Sequence, residues 1–419
     1  MKPQNFEEKV VWYCLLGTYL LYFIGAQFVV IPIVAWILLL YLGKKKWSQT
    51  DQTPNEQKVY IPLTTWVWVI SMLFMGFTII LGQIDFNLGS YKVISSTVNS
   101  WARQWALFAL FPLTGCLNIR PQLICRAVCI LCLQNIFFVG ISYLLCTLHI
   151  EVNYISPLYY LGGNYQILYG VDLYDFDFDA GNIIPRLKLF APWCPELGMV
   201  GNLYFFLTSQ EANKKWRWFG MIVSVIMVIS TISRSAILCL PSVMILSFVL
   251  AKSSRPVTQF TIGVVSFVGG IVATQVIDAV NTFKEQFDSY RAGSSKERET
   301  LFNLALTRWT DAPIWGHAAV QGFQKTPGIG THHTWAGLLF VRGLVGLTAF
   351  TFPLVWSFMD LLFKAQKSTT ARQGLSVVLV LFVFGFVIDV SYIAHLYWPG
   401  LIMIGIAFKE KSVPLRLSI

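Results

Sequence analysis

The chain has 419 residues, of which 55% are hydrophobic and 12% are charged, and its mean hydropathy is +0.60. Soluble domains carry about 25% charged residues, so this composition excludes an ordinary soluble protein and predicts a polytopic membrane protein. The net charge of +10 is explained by basic residues between apolar runs. We find no RNA- or DNA-binding module, so no nucleic-acid partner is expected.

Apolar runs recur along the chain and predict one all-α polytopic domain over residues 1–419. A helix of about 20 residues crosses the hydrocarbon core of a bilayer, so each run is interpreted as one span, about twelve in total. Several runs are shorter than this length. The predicted spans are residues 10–25, 27–43, 61–83, 103–118, 122–147, 196–209, 217–232, 235–251, 256–277, 335–363, 374–390 and 394–408.

Basic residues predict the orientation of these spans. Five segments rich in Lys and Arg fall on one side of the arrangement, and the positive-inside rule makes that side cytoplasmic, with both termini inside. Two long segments, residues 150–195 and 279–334, then lie outside. Loops of this length on such a scaffold are typical of function. The five segments contain Lys44, Lys45, Lys46 and Lys58; Lys214, Lys215 and Arg217; Lys252 and Arg255; Lys364, Lys367 and Arg372; and Lys409, Lys411 and Arg416.

Three arginines map to the predicted outer face. Arg186 precedes the segment LFAPWCPELG, and with Lys188 nearby an interface role is an equal alternative. Arg234 lies between two apolar runs, where an unpaired basic side chain is costly, so we expect it to face an anion or a polar cavity. Arg298 lies in a predicted amphipathic helix, where an ordinary solvated arginine is the alternative.

Two adjacent histidines, His332 and His333, end the second outer segment. No further His or carboxylate stands at metal-ligand spacing, so the sequence predicts no metal site. An imidazole with a pKa of about 6.5 accepts a proton at neutral pH. We therefore predict that one of the two histidines is a proton acceptor and the other a structural neighbour.

Three aspartates alternate in the stretch YDFDFDAG. Asp175, Asp177 and Asp179 would share one face of an extended segment. Calcium binding is one interpretation, but the glycine and the terminal glutamate of an EF-hand are missing. A solvated edge of the outer loop is favoured. The eight cysteines lie almost entirely in apolar runs and predict packing.

Six short motifs between roughly residues 180 and 350 together resemble those of the O-antigen ligase and polymerase superfamily of bacterial membrane glycosyltransferases. The Asn that usually follows the motif His is His333 here, and the usual G-x-G doublet reads Gly316-His317. Alignment of the motif selects His332 as the reacting residue, with His333 and His317 as alternatives. The resemblance covers roughly residues 180 to 350 and rests on RLKLFAPWCPELG, TISRSA, SSKERETLFNLAL, PIWG, THHTW and RGLVG.

The resemblance implies a GT-C-like fold and an inverting, metal-independent transfer without a cofactor. The donor is a glycan on a polyprenyl-diphosphate carrier, and the acceptor is a hydroxyl of a glycan or lipid-linked molecule. Arg186, Arg234 and Arg298 are expected to hold the diphosphate, and His332 to take the acceptor proton.

The resemblance also implies a place in lipopolysaccharide or surface polysaccharide biosynthesis. The expected location is the bacterial inner membrane, with the site facing the periplasm. A ligase is favoured, and a polymerase that extends lipid-linked repeats is the first alternative. A lipid-linked sugar transporter is the second, although we find no internal repeat. The oligomeric state and the identity of the glycan stay open.

Overall fold

The computed structural model describes residues 1–54, 58–150, 153–161, 167–177, 184–275, 277–279, 281–282, 292–320 and 328–411. Helices dominate these residues, in agreement with the predicted all-α class. The helices are α1 Phe6–Leu16, α2 Thr18–Phe23, α3 Gln27–Trp47, α4 Leu63–Asp85, α5 Ser90–Ser96, α6 Leu107–Gly115, α7 Pro121–Thr147, α8 Cys194–Thr208, α9 Lys214–Ser230, α10 Arg234–Leu250, α11 Pro256–Ile271, α12 Ala292–Trp309, α13 Thr334–Ala365, α14 Thr369–Phe384 and α15 Trp398–Phe408.

Short strands lie between α7 and α8. Strand β1, Asn153–Ile155, pairs antiparallel with β2, Gly170–Asp172. Strand β3, Tyr174–Asp177, pairs antiparallel with β4, Ile184–Leu187. The first long segment predicted between spans, residues 150–195, therefore carries sheet, whereas the second, residues 279–334, carries α12.

Every predicted span overlaps at least one helix, but the helices differ in length. Among the described residues, α3, α4, α7 and α13 are long and apolar enough to cross a membrane, and a bent pair that begins with α11 is a further candidate. The predicted span 10–25 is divided at Gly17 into α1 and α2. These long apolar helices make the chain a membrane protein, while the count of twelve spans stays a prediction.

The region between α14 and α15 departs from the sequence prediction. Spans were predicted over residues 374–390 and 394–408, but α14 ends at Phe384 and residues 385–397 form turns before α15 begins at Trp398. The turns are stable because side chains bind their backbone groups. Tyr397, for example, donates its hydroxyl to the carbonyl of Val390 at 2.5 Å.

Aromatic packing joins α4, α6 and α13 at the centre of the bundle. The Trp68 ring stacks 5.8 Å from Phe108, and Phe108 lies 5.1 Å from Phe350 in an edge-on contact. The indole N–H of Trp68 donates to Ser357 Oγ at 2.8 Å. Within lipid, helices associate through packing and hydrogen bonds rather than through the hydrophobic effect. This cluster therefore fixes α13, which leads away from the predicted histidines, against α4.

Buried carboxylates mark the end of the bundle that lies opposite the start of α13. Glu7 binds Lys45 at 2.8 Å, and Glu8 binds Arg120 at 2.7 Å. Each carboxylate is at most 1% exposed. Burial of a charge is costly without a partner, so these pairs tie α1 to α3 and to the start of α7.

A π-helix, Thr97–Trp105, joins α5 to α6. Its wider turn brings Arg103 to the start of α3, where the guanidinium donates to the carbonyl of Phe28 at 2.9 Å and to Tyr169 Oη at 2.8 Å. Isolated π-helical turns are frequent at functional sites. Here the π-helix directs polar side chains into the bundle.

Candidate functional site

Arg186 is placed by the second strand pair. In the β3–β4 register it stands opposite Asp175. Its Nε donates to the carbonyl of Thr231 at 3.1 Å, and Thr231 caps the C-terminus of α9. The strand pair is thereby pinned to the turn between α9 and α10.

Arg234 begins α10 directly after the same turn. The turn is tight, since Ile232 has φ +50° and the N–H of Ser233 donates to Thr231 Oγ1 at 3.2 Å. The turn and the start of α10 pack closely on α8. A Cβ added at Gly198 of α8 would lie 3.4 Å from Thr231 Oγ1 and would overlap the side chain of Ala236 in α10. Arg186 and Arg234, 48 positions apart in the sequence, therefore attach to one turn.

The aspartates of the hairpin bind Lys188. Lys188 Nζ lies 2.7 Å from Asp172 and 3.3 Å from Asp175. Burial acts to lower the pKa of Lys188, but the hydrogen bond to Asp172 and the charges of Asp172 and Asp175 together outweigh it, so the pKa is raised. Asp175 is thus an ion-pair partner. The side chain of Asp177 and all of Asp179 lie outside the described residues. Among the described residues, no group of three His, Cys, Asp or Glu is placed to hold a metal ion.

Arg298 lies on α12, the amphipathic helix predicted from the sequence. The apolar side of α12 buries Leu301 and Ala305 against Ala336 and Phe340 of α13. This packing brings Arg298 to His332. Burial lowers the pKa of His332, and the charge of Arg298 lowers it further, to about 4.

His332 and His333 have different backbone roles. His332 has φ +60°, a left-handed conformation that costs a non-glycine residue on the order of 1 kcal/mol. His333 is extended and caps α13, its Nδ1 accepting the N–H of Ala336 at 3.1 Å. An Asn at the cap position accepts the same kind of hydrogen bond. The replacement of the family's usual Asn by His333 therefore preserves the cap.

His317 packs against α13. Its backbone N–H donates to the carbonyl of Phe340 at 2.8 Å, and its ring Nδ1 lies 3.2 Å from the same oxygen. The ring stacks on Phe340 with 4.4 Å between centroids. The His317 ring thus contacts the main chain and an aromatic ring, whereas His332 interacts with the charge of Arg298.

The PIWG and RGLVG motifs meet at a break in α13. Gly343 has φ +64°, which interrupts the helix. The N–H of Leu344 donates to the carbonyl of Pro313 at 2.9 Å, and the N–H of Ala318 donates to that of Val341 at 3.0 Å. A Cβ at Gly316 would lie 2.5 Å from the backbone nitrogen of Gly343. The loop thus satisfies the backbone groups that the break exposes.

Residues 385–397 lie between the His332 loop and the region of Arg186. Thr334, two positions after His332, donates its hydroxyl to the carbonyl of Ile388 at 2.6 Å and accepts the N–H of Val390 at 3.0 Å. On the other side, the ring centroid of Tyr392 lies 5.7 Å from that of Trp193, the residue before α8. One segment therefore contacts both the His332 loop and the region of Arg186.

Three ionisable residues inside apolar runs were overlooked in the sequence. Glu196 is 4% exposed and Arg342 is 7% exposed, and Asp389 accepts the hydroxyl of Ser391 at 2.7 Å. Charged residues are rare in membrane helices and usually mark function. That rarity is the signal that identifies all three.

A mainly helical scaffold with apolar helices long enough to cross a membrane defines the chain as a membrane protein. Residues 219–351 match the O-antigen ligase family, a stretch that includes Arg234, Arg298, His317, His332 and His333. This match supports the resemblance to the O-antigen ligase and polymerase superfamily that the motifs predicted. A search among curated proteins found no match.

Proposed function

We propose that this protein is a glycosyltransferase of the O-antigen ligase type, which moves a glycan from a polyprenyl-diphosphate carrier to an acceptor hydroxyl. The observation that carries the proposal is the attachment of Arg186 and Arg234 to one turn at the N-terminus of α10. A helix N-terminus attracts anions through its unused N–H groups. Two guanidinium groups beside it suit a diphosphate, which planar donors bind in bidentate fashion.

In the proposed reaction, the arginines stabilise the lipid diphosphate as the bond between the anomeric carbon and the phosphate oxygen breaks. The bonding electron pair leaves with the diphosphate. The acceptor oxygen forms the new bond on the opposite face of the sugar, which inverts the anomeric configuration. His332 takes the hydroxyl proton, and its imidazole is neutral at pH 7 because its pKa is about 4. The proposal requires neither a metal ion nor a cofactor.

In this mechanism, donor binding raises the pKa of His332 and makes it a stronger base. A pKa of about 4 makes His332 a weak base in the free protein, since a general base works best with a pKa near the operating pH. Arg298 contributes to that low value. A bound diphosphate would neutralise the guanidinium of Arg298 and so raise the pKa of His332 when it has to accept a proton.

The proposed orientation places the site on the periplasmic side of the bacterial inner membrane, with about twelve spans and both termini cytoplasmic. Opposite the site, basic residues bind buried carboxylates, as Lys45 does with Glu7 and Arg126 does with Glu211 at 2.5 Å. This separation supports the orientation. In the proposed layout, residues 1–419 form one domain, and residues 150–195 and 279–334 are its outer segments.

The acceptor distinguishes a ligase from a polymerase. The test uses purified protein in detergent, a polyprenyl-diphosphate-linked glycan, and one of two acceptors: a glycolipid without diphosphate or a second lipid-linked repeat. Release of polyprenyl diphosphate with the glycolipid supports the ligase. Release only with the second repeat identifies a polymerase. The Arg234→Ala variant is the matched control and should release little with either acceptor.

A lipid-linked sugar transporter makes no glycosidic bond and releases no polyprenyl diphosphate in detergent. Absence of release with both acceptors, from protein that remains folded, would therefore contradict the proposed transfer. Transport is then measured separately, with the same donor in sealed vesicles.

A further inference from the structure

Arg342 is a buried cation at the break in α13. It precedes Gly343, is 7% exposed, and lies within the apolar run LLFVRGLVG. Its Nη1 donates to the carbonyl of Ala318 at 2.8 Å, and its Nη2 donates to Ser100 Oγ at 3.1 Å. A guanidinium inside a bundle is costly unless its donors are bound, so both contacts contribute to the stability of this region.

Ala318 is the point at which four parts of the fold meet. Its carbonyl also accepts Gln83 Nε2 from the end of α4 at 3.1 Å, and its N–H donates to the carbonyl of Val341. Ala318 has φ +64° and is 1% exposed. The break in α13, the loop 312–318 and α4 are therefore joined at the backbone of Ala318, and Arg342 extends this junction to Ser100 of the π-helix.

This junction connects to the histidine site through packing. The loop 312–318 holds Phe340 through the stacked ring of His317. Phe340 belongs to the same buried cluster as Leu301 and Ala305 of α12, the helix that carries Arg298. Movement of the loop would therefore loosen α12 and change the position of Arg298 relative to His332.

We propose that Arg342 is a positioning residue for the transfer reaction: it holds the loop 312–318 against the broken helix, so that Arg298 and His332 face one another. It touches neither donor nor acceptor. The catalytic part of this inference rests on the proposed function, whereas the docking of the loop does not.

The test compares Arg342→Met, Arg342→Lys and Ser100→Ala with the control Arg255→Met, which removes an exposed arginine at the start of α11. Hydrogen exchange is followed in peptides that cover residues 312–318 and 341–345. Exchange there should rise about tenfold in Arg342→Met, because an opened loop loses its protection. The increase should be smaller in Ser100→Ala, which removes one of the two contacts, and Arg342→Lys should restore part of the protection.

Kinetics supply the second measurement. In Arg342→Met, kcat should fall about tenfold or more while the KM for the donor changes less than about threefold, because the diphosphate site is retained. Burial and the charge of Arg298 lower the pKa of His332, and both effects should be smaller in this variant. The acid limb of kcat/KM should therefore move up from about pH 4 towards the ordinary histidine pKa of about 6.5. The neighbouring His333 stays in place as the helix cap.

Unchanged exchange and an unchanged pH profile in Arg342→Met would overturn the inference. If that variant does not fold, Arg342→Lys and Ser100→Ala decide between the same outcomes. Arg342→Lys keeps the positive charge, and Ser100→Ala keeps the hydrogen bond from Arg342 to the carbonyl of Ala318. If the unaltered protein transfers no glycan, the proposed function fails together with the positioning role. The exchange measurement then decides whether Arg342 docks the loop.

Discussion

Arg298 of α12 and His332 before α13 form an electrostatic pair in which the arginine adds to the effect of burial and the pKa of the histidine falls to about 4. The two residues are 34 positions apart in the sequence, and the packing of Leu301 and Ala305 on α13 brings them together. A bound anion would compete for Arg298. The pair therefore couples occupation of the donor site to the basicity of His332.

The first prediction is a donor-dependent pH profile. The neutral imidazole is the active form, so activity is retained above the pKa of His332 and lost as the pH falls through it. In kcat/KM, which reports the free enzyme, the acid limb should lie near pH 4. In kcat, which reports the donor complex, the limb should lie higher, because the diphosphate neutralises Arg298. Acid limbs at the same pH in both profiles would contradict the coupling.

The second prediction concerns the base. His332→Ala should lower kcat by about 10² to 10⁴, the range for a lost general base, with donor affinity within about threefold of the original. The measurements are steady-state transfer and donor binding by the purified variant. His317→Ala serves as the comparison and should lower kcat less, because its ring packs on Phe340 and affects His332 only through the packing of α12. Full activity in His332→Ala would exclude the residue as the base.

The third prediction concerns the helix cap. His333→Asn should retain activity and stability, because the amide oxygen of Asn can accept the N–H of Ala336 in place of Nδ1. His333→Ala removes the acceptor and should cost about 1 kcal/mol of stability, with a much smaller effect on kcat than His332→Ala. Thermal unfolding and transfer are measured for both variants. A His333→Ala protein that is stable yet inactive would assign the base to His333.

The fourth prediction concerns the diphosphate site. Arg234→Lys should lose most activity although the charge is kept, because a point ammonium does not reproduce the bidentate geometry of a guanidinium. Arg186→Lys should behave alike, since both residues attach to the turn that begins α10. Arg255→Lys, at an exposed position, is the matched control. Normal transfer by Arg234→Lys at equal protein level would reduce Arg234 to a membrane-interface anchor.

The sequence predicts the helices well because each apolar run is a local property. It also predicts α12. It does not predict the break at Gly343, since that glycine is one of 30 in the chain. The break is stable because the loop binds its backbone groups: the carbonyls of Pro313 and Ile314, for example, accept the N–H groups of Leu344 and Val345.

Residues 385–397 illustrate the same limit. Their apolar composition favours continued spans, yet they form turns whose backbone groups bind Thr334 and Tyr397. Thr334 belongs to α13, so no local pattern in residues 385–397 contains the contact that it makes. The position of the candidate site between Trp193 and His332 depends on these turns, and it required the structure.

The last prediction tests the broken helix itself. Gly343→Ala should destabilise the protein by about 1–3 kcal/mol, because φ +64° is strained for alanine and the new Cβ would overlap the carbonyl of Ile314. Gly263→Ala in α11 is the matched control: an added Cβ there meets nothing within 4 Å, and alanine favours a helix over glycine by up to about 1 kcal/mol. The measurements are thermal unfolding in detergent and transfer rate. Gly343→Ala should lower both, because a displaced loop releases Phe340 and with it the packing of α12, whereas Gly263→Ala should lower neither. Equal unfolding temperatures for the two variants would mean that α13 accommodates a continuous helix at this position, and the contacts of Pro313 and Ile314 with the break would then contribute nothing to the site.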